Sequence, residues 1–485
     1  MKTRFIYQFF IIFWALVGPI PTTADHLIIL ATNDTHSQIE PTEKDNMGGV
    51  FRRRAIFDDV RANNKNVLVV DAGDAVQGTI YYNLFDGELE YALLDSLGYD
   101  LSILGHHDFD NGLEGLEKHY RNTMVTKLSS NYDFTGTALE GVLQPYVIRD
   151  YGSKRVGIFG INKNPEVLMS RANYAGMKYN PCEIVADSIA RHLKEKEHVD
   201  FTVMISSIGY DSFASNEPCD KTIAESSHYI DLIIGGCSHT DIVPGSPESL
   251  IKNADGRVVT IGQNGKSGKH IGYYDINLDS LTITYDRIAV DNKWDNKANY
   301  RAFTNWTNRY TVEKMLQQLI PIGYFSDYFD NRDTPTWLHH ANFEIAHNIF
   351  GIKDVTISIV NAGGIRVTIP KGFITYERLL TAFPFDNHYQ IFEVKGKKVK
   401  ELLNSKAHDI GAINVSSSVP GQLKRIQDNK LYNIITLDYL AAGGDFMPDL
   451  NHEKLLFSDE EYTIGARLID YVIRNTIAHE IINAQ

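Results

Sequence analysis

Short apolar runs alternate with longer stretches of mixed polarity from residue 26 to about residue 290. Six runs are near-continuously apolar and bounded by Gly, Asn or Asp, which is typical of buried strands: 27–31, 67–71, 101–104, 156–161, 201–205 and 232–234. Between them, 52–63 and 88–97 are predicted helices. Three later runs, 258–262, 271–278 and 281–290, predict antiparallel strands that end the domain. The pattern therefore predicts a layered α/β domain over residues 25–295.

The pattern changes between residues 296 and 320, where a polar stretch leads into a helical periodicity that we interpret as a linker helix. Beyond Pro321, a smaller α/β domain is predicted over residues 321–485. Its predicted strands are 355–360, 388–394 and 431–437, and its predicted helices are 376–382, 397–404 and 461–479.

Residues 1–24 have the pattern of a secretory signal peptide. Lys2 and Arg4 precede an apolar stretch over residues 5–20, and small residues follow at 22–24. The stretch is shorter than the roughly 20 residues that a membrane-spanning helix needs. The sequence therefore predicts an exported chain with no transmembrane segment after removal of the signal, and it leaves periplasm, cell surface and medium open.

Composition narrows the possible partners. The 485 residues are 43% hydrophobic and 22% charged, with a formal net charge of −14. So acidic a balance disfavours broad binding to a nucleic acid polymer, although a local basic pocket for one phosphate remains possible. Three cysteines, Cys182, Cys219 and Cys237, do not make a disulfide scaffold. The oligomeric state is open.

Polar residues that can bind metal ions follow four of the predicted strands. They are Asp34 and His36, then Asp74, then the run from Gly105 to Asp110, then Cys237 and His239. Each group alone is more typical of a turn, a helix start or a buried thiol. Ligands bind at the carboxyl edge of an α/β sheet, so four such groups in order predict a site for Zn²⁺, Mn²⁺ or a similar ion.

These residues carry a family resemblance. Asp34-x-His36, Gly73-Asp74 and Gly105-x-His107-Asp108 resemble the metallophosphoesterase signature. The longer strings around them, with 361–366, 383–387 and 442–445, are similar to the 5′-nucleotidase family. The resemblance implies a four-layer metallophosphoesterase sandwich, a smaller C-terminal substrate-binding domain, and metal-dependent release of phosphate from nucleoside 5′-monophosphates or related nucleotides.

The resemblance implies two metal sites. Asp34, His36, Asp74 and His239 match one site, with Asp74 as the bridging ligand. In the second site, His106, Ser207 and Cys237 stand where the family has Asn and two His. His106 and Cys237 are good zinc ligands, so the site is either retuned toward a softer ion or lost by drift. Both alternatives are open, and one metal site is better supported than two.

The family's catalytic and substrate residues also have counterparts. His107 matches the general acid, and Asp110 matches the Asp that orients it. Five residues match the substrate loop and the first base-stacking ring by position: Asn361, Gly363, Gly364, Arg366 and Tyr389. Phe446 lies near the second ring. Because the second metal site is altered, the alternative to a phosphohydrolase is a nucleotide-binding homologue without turnover.

Overall fold

The computed structural model describes residues 26–212, 217–298, 321–325, 327–329 and 333–483. The predicted signal peptide and, beyond residue 298, the predicted linker helix lie outside these residues. No helix in the described ranges is both long enough and apolar enough to cross a membrane.

Two six-stranded sheets form the first domain, over residues 26–298. Its strands, in chain order, are β1 His26–Thr32, β2 Val67–Asp71, β3 Leu101–Ile103, β4 Thr126–Leu128, β5 Tyr132–Asp133, β6 Tyr146–Tyr151, β7 Lys154–Asn162, β8 Lys178–Tyr179, β9 Phe201–Ser207, β10 Leu232–Gly235, β11 Leu250–Lys252, β12 Val258–Gly262, β13 His270–Asn277 and β14 Thr282–Ala289. One sheet has the order β14-β13-β1-β2-β3-β4 and the other β11-β12-β10-β9-β7-β6. The short strands β5 and β8 pair separately.

Helices cover the outer faces of both sheets. The helices of this domain are α1 Val50–Asn63, α2 Ile80–Phe85, α3 Glu88–Leu97, α4 Gly112–Tyr120, α5 Pro165–Leu168, α6 Cys182–Glu195 and α7 Asp220–Ser226. Along β1, Leu27 and Ile29 belong to the cluster between the sheets, whereas Ile28 and Leu30 pack under the helices. Side chains of a strand point alternately to its two faces, so a strand buried on both faces must be continuously apolar. The predicted four-layer arrangement is confirmed.

The prediction that the last three strands of the first domain pair antiparallel is only partly confirmed. β13 pairs antiparallel with β1 and with β14 in the first sheet. The predicted strand 258–262 is β12, which instead lies in the second sheet, parallel to β10. Sequence proximity misled here because consecutive strands usually pair, whereas the chain crosses between sheets after Gly262.

The second domain is a five-stranded sheet with the order β19-β16-β20-β18-β21 and a separate β15-β17 pair. Its strands are β15 Pro321–Phe325, β16 Val355–Asn361, β17 Gly372–Thr375, β18 His388–Lys395, β19 Ile413–Ser417, β20 Leu431–Leu437 and β21 Lys454–Thr463. Its helices are α8 Thr334–Glu344, α9 Tyr376–Ala382, α10 Gly396–Leu403, α11 Lys406–Asp409, α12 Asp438–Ala441 and α13 Ile464–Asn483. All three predicted strands and all three predicted helices are present, with small shifts at their ends.

The two domains contact each other at the carboxyl edge of the first sheet. Asn83 Nδ2 donates a hydrogen bond of 2.9 Å to Pro384 O, and Gln77 Nε2 donates one of 3.4 Å to the same oxygen. Arg378 Nη1 lies 3.0 Å from Glu43 Oε2. These contacts hold the segment around Pro384 over the polar edge that the sequence singled out.

Candidate metal centre and catalytic residues

Tight turns at the strand ends bring the predicted ligands together. Five of the site residues have left-handed backbone conformations: Asp34 (φ 49°), His36 (48°), Asp74 (54°), Cys237 (78°) and His239 (55°). This region is unfavourable for residues with a Cβ atom, and such strain concentrates at functional sites. The turns aim these side chains at one place.

Asp34, His36 and His239 form the first group, with ligand atoms all within 4.8 Å of one another. His36 Nδ1 faces the backbone oxygen of Gln77 at 2.9 Å and must donate to it, which leaves Nε2 with a free lone pair. That Nε2 lies 2.8 Å from His239 Nε2, and His239 Nε2 lies 3.8 Å from Asp34 Oδ1. Converging imidazole nitrogens beside a carboxylate fit a divalent transition ion.

Asp74, His106 and Cys237 form the second group, again within 4.8 Å. His106 Nδ1 lies 3.0 Å from Asp74 Oδ2 and 3.9 Å from Cys237 Sγ. Carboxylate, imidazole and thiol are all zinc ligands, and three protein ligands are the number in a catalytic zinc site. Ser207 is buried at the end of β9, and its Oγ has no hydrogen-bond partner in the described part of the chain.

Two buried carboxylates dominate the electrostatics of the centre. Burial and the neighbouring Asp74 raise the pKa of Asp34 well above its usual value. Burial also opposes ionisation of Asp74, but the imidazoles of His106, His107 and His36 outweigh it and hold the pKa of Asp74 well below its usual value. Burial disfavours a charged His106, yet Asp74 and Cys237 hold the pKa of His106 well above its usual value. Ionised Asp74 and protonated His106 therefore form an ion pair.

The two imidazoles of the first group are neutral in the physiological pH range. Burial lowers the pKa of His36 well below its usual value, and the charge of Arg366 adds to the effect. Burial, Lys266 and Arg366 lower the pKa of His239 to about 3. Neutral imidazole is the form that binds metal ions, so the first group is ready to act as a ligand set.

His107 and Asp110 make a hydrogen-bonded pair at the same edge. His107 Nδ1 lies 3.0 Å from Asp110 Oδ2, so Nε2 is free to exchange a proton. The His107 ring lies 5.4 Å from that of His36, centroid to centroid. Burial and protonated His106 lower the pKa of His107, whereas Asp110 raises it. This pair has the geometry of an oriented acid–base group.

Asp108, between these two residues, is a site residue that was not predicted as one. Its Oδ2 accepts hydrogen bonds from Gly105 N (2.7 Å) and Asp74 N (3.3 Å), and its Oδ1 accepts one from Tyr91 OH (2.8 Å). A Cβ atom on Gly105 would lie 2.2 Å from Asp74 Oδ1, so only glycine fits beside the carboxylate of Asp74. The motif from Gly105 to Asp108 could have indicated a role for Asp108 at the site, but the same residues are equally typical of the start of a helix.

Arg366 and Phe385 of the second domain reach the metal-ligand groups. Arg366 Nη2 lies 3.4 Å from His36 Nε2, and the guanidinium carbon lies 5.7 Å from the centre of the Phe385 ring. The Phe385 ring in turn stacks at 5.7 Å and 28° on the ring of His107. Phe385 lies in a recognised motif but is not among the predicted site residues, and the structure places its ring directly against the His107–Asp110 pair.

The other predicted substrate residues lie on two neighbouring loops. Asn361 ends β16, and its Nδ2 donates a hydrogen bond of 2.9 Å to Asp445 Oδ2. Gly364 has no room for a side chain, because a Cβ atom there would lie 2.5 Å from Asn361 Oδ1, whereas Gly363 is exposed. Phe446 is half-buried, with the ammonium of Lys406 5.4 Å from its ring. Asp445 is the third residue, after Asp108 and Phe385, that sequence reasoning left out of the site.

The prediction that Tyr389 stacks on a nucleobase is wrong. Tyr389 is 0% exposed within the core of the second domain, and its hydroxyl donates a hydrogen bond of 2.7 Å to Asn342 Oδ1. A ring enclosed on all sides offers no face to a ligand. Residue 389 lies on β18, where alternation turns its side chain into the core, whereas Phe385 precedes the strand and remains accessible.

Two family models match the chain and together cover more than half of it. A calcineurin-like phosphoesterase model matches residues 27–241, and a 5′-nucleotidase C-terminal domain model matches residues 336–452. Among curated relatives, the snake venom 5′-nucleotidase of Gloydius brevicauda is 28% identical over 86% of this chain and 81% of its own. The 5′-nucleotidase of Bos taurus is 26% identical over 88% of this chain and 85% of its own.

Solved structures share the fold. The 5′-nucleotidase precursor from Thermus thermophilus superposes with a TM-score of 0.79 at 24% sequence identity, covering 93% of this chain and 97% of its own. A likeness at this level of identity establishes the architecture of both domains and leaves the chemistry to the residues of the site.

Replacing Asp108 with Ala is expected to lower the free energy of unfolding by about 1–3 kcal/mol, because the amide of Gly105 and the hydroxyl of Tyr91 lose their buried acceptor. Urea unfolding measures this change. Asp110→Ala is the matched control, since its carboxylate is 28% exposed and pairs with the His107 ring. Equal destabilisation by both substitutions would contradict the structural role of Asp108.

Proposed function

Because this chain belongs to the 5′-nucleotidase family, with a calcineurin-like phosphoesterase domain followed by a 5′-nucleotidase C-terminal domain, we propose that it releases phosphate from nucleoside 5′-monophosphates or related nucleotides. The family makes the chain a phosphoric ester hydrolase. The choice of a nucleotide as substrate rests on the second domain, whose Arg366 and Phe385 reach the catalytic edge.

One arrangement carries the proposal: the His107–Asp110 pair lies beside both metal-ligand groups and beneath Arg366. Divalent ions held by Asp34, His36 and His239 and by Asp74, His106 and Cys237 would stabilise negative charge on a phosphoryl group and activate a water molecule. The guanidinium of Arg366 binds the phosphate. A phosphate dianion next to His107 opposes the effect of burial and favours its protonated form.

His107 then donates the Nε2 proton to the departing ester oxygen, and Asp110 stabilises the cation and fixes the ring. The nucleoside leaves toward the second domain. There, Phe385 offers a flat face for a base, while Asn361 and Asp445 offer an amide and a carboxylate to ribose hydroxyls.

The chemistry of the ligands predicts that the two metal-ligand groups prefer different metal ions. The imidazoles and carboxylate of Asp34, His36 and His239 can bind Zn²⁺ or Mn²⁺. Cys237 adds a thiolate to the second group and shifts its preference toward Zn²⁺ over Mg²⁺ or Mn²⁺. We propose that this second group is a retuned metal site.

Export of the protein is part of the proposal. Residues 1–24 carry the signal-peptide pattern, and one relative is named as a venom 5′-nucleotidase. Both observations suit a nucleotidase that acts outside the cytoplasm.

A nucleotide-binding homologue without turnover is the second candidate. The observation that favours it is the ion pair of His106 and Asp74 at 3.0 Å, which neutralises a metal-binding carboxylate from within the protein. If this pair persists when zinc is supplied, the second group holds no metal ion.

The first test is phosphate release from AMP by the full-length protein supplied with Zn²⁺ or Mn²⁺. We expect turnover, and His107→Ala should reduce kcat by about 10²–10⁴-fold, because the leaving oxygen loses its proton donor. Asp110→Asn should cause a smaller loss, since the ring keeps a hydrogen-bond partner. Binding of AMP without turnover under every metal condition would favour the second candidate.

Loading with Co²⁺ tests the metal-binding role of Cys237 independently of activity. The wild-type protein should show a sulfur-to-cobalt charge-transfer band in the near ultraviolet, and Cys237→Ser should lack it. Cys182→Ser is the matched control, because Cys182 is equally buried but lies on α6, away from both ligand groups. A wild-type spectrum without the band would refute thiolate ligation.

Replacing Phe385 with Leu should raise the KM for AMP by about tenfold, because stacking on a base contributes roughly 1–3 kcal/mol. The KM for p-nitrophenyl phosphate, which has no nucleobase, should change less. Tyr389→Phe is the control and should leave both constants unchanged apart from effects on stability. Equal changes for both substrates in Phe385→Leu would exclude a role in recognising the base.

A further inference from the structure

Lys266 is a cation at the metal centre that the mechanism above does not use. It lies in the loop that follows β12, and the backbone on both sides of it is fixed to the centre. Gly265 O accepts a hydrogen bond of 2.7 Å from Asn33 Nδ2, and Gly265 N donates one of 3.0 Å to Thr240 O. Ser267 N donates one of 2.8 Å to Asp34 O. Lys266 therefore emerges directly beside the ligands Asp34 and His239.

Lys266 has no hydrogen bond or ion pair with any residue in the described part of the chain. Lys266 is exposed, but partial loss of water around its ammonium and the nearby guanidinium of Arg366 lower its pKa, while Asp34 raises it. Arg366 likewise has no carboxylate within ion-pair distance among the described residues; its polar neighbour is His36. Two unpaired cations that face the same centre create a strong preference for an anion between them.

The positions of Lys266 and His107 indicate which oxygens of a bound phosphate Lys266 contacts. His107 follows β3, whereas Lys266 is bonded through its neighbours to the end of β1, and β2 lies between these strands. Neighbouring strands lie about 4.8 Å apart, so the two residues approach the centre from strand ends that are separated by one intervening strand. His107 marks the side of the leaving group, and the leaving group and the attacking water lie roughly in line across phosphorus. The other phosphoryl oxygens lie around this line, and a cation that comes from the end of β1, beside Asp34, meets these oxygens and not the leaving one.

We propose that Lys266 is a phosphate-binding residue that makes the centre selective for phosphate monoesters over diesters. The inference rests on the proposed phosphohydrolase function. A monoester presents charged, unsubstituted oxygens toward Lys266, and each can accept a charge-assisted hydrogen bond. In a diester, one of these oxygens carries a second organic group and the phosphate loses one charge, so the same ammonium gains less.

The test compares Lys266→Met with Lys269→Met in the metal-loaded full-length protein. Lys269 lies three positions further along the loop, and its ammonium is paired with Asp45 at 2.7 Å, away from the centre. The substrates are p-nitrophenyl phosphate and bis(p-nitrophenyl) phosphate, which have the same leaving group and no nucleoside. Lys266→Met should reduce kcat/KM for the monoester about tenfold or more and for the diester less than about twofold. Lys266→Arg should restore most of the monoester activity, and Lys269→Met should change neither.

Equal losses on both esters, or no loss on either, would overturn the inference while leaving the hydrolase function intact. A protein that hydrolyses neither ester would refute the proposed function instead. In that case, calorimetry with inorganic phosphate still tests Lys266: binding at least about tenfold weaker in Lys266→Met than in Lys269→Met supports phosphate binding, and equal affinities refute it.

Discussion

The site depends on keeping two carboxylates, Asp34 and Asp74, buried side by side at the ends of adjacent strands. Both are 0% exposed, and two neighbouring carboxyl groups cannot both ionise in a medium of low polarity unless nearby groups compensate their charge. Asp34 accepts hydrogen bonds from the backbone amide of Cys237 and the side-chain amide of Asn33. Asp74 accepts one from the backbone amide of His107 and pairs with the protonated imidazole of His106. The rest of the centre can be understood as the positive charge and hydrogen-bond donors that this pair requires.

That constraint explains features that otherwise look unrelated. Left-handed turns at strand ends are unfavourable, yet they allow amide groups and side chains to converge on the carboxylates. Gly105 leaves space for Asp74, and Asp108 fixes the turn that carries His106 and His107. The thiol of Cys237 belongs to the same network, because its own amide binds Asp34 while its sulfur faces His106. A substitution at the second metal site is therefore never isolated from the first.

The second domain completes a surface that the first domain alone leaves open. Pro384 O accepts hydrogen bonds from Asn83 and Gln77, and these contacts fix the neighbouring Phe385 on the ring of His107. Arg366 adds a cation over His36. In the proposed reaction, the first domain supplies the metal ligands and the acid–base pair, and the second domain supplies the groups that select the substrate.

The sequence by itself determined the α/β architecture, most strands to within a few residues, and all eight residues assigned to metal binding and acid–base chemistry as neighbours at one edge. It could do so because continuous apolar runs define strands buried on both faces, and residues at the carboxyl ends of parallel strands meet. Only the tertiary structure decided the rest. It assigned β12 to the second sheet, turned Tyr389 into the core, and brought Phe385, Asp445 and Lys266 to the site. These outcomes depend on contacts between segments far apart in the chain, and local patterns of polarity carry no information about such contacts.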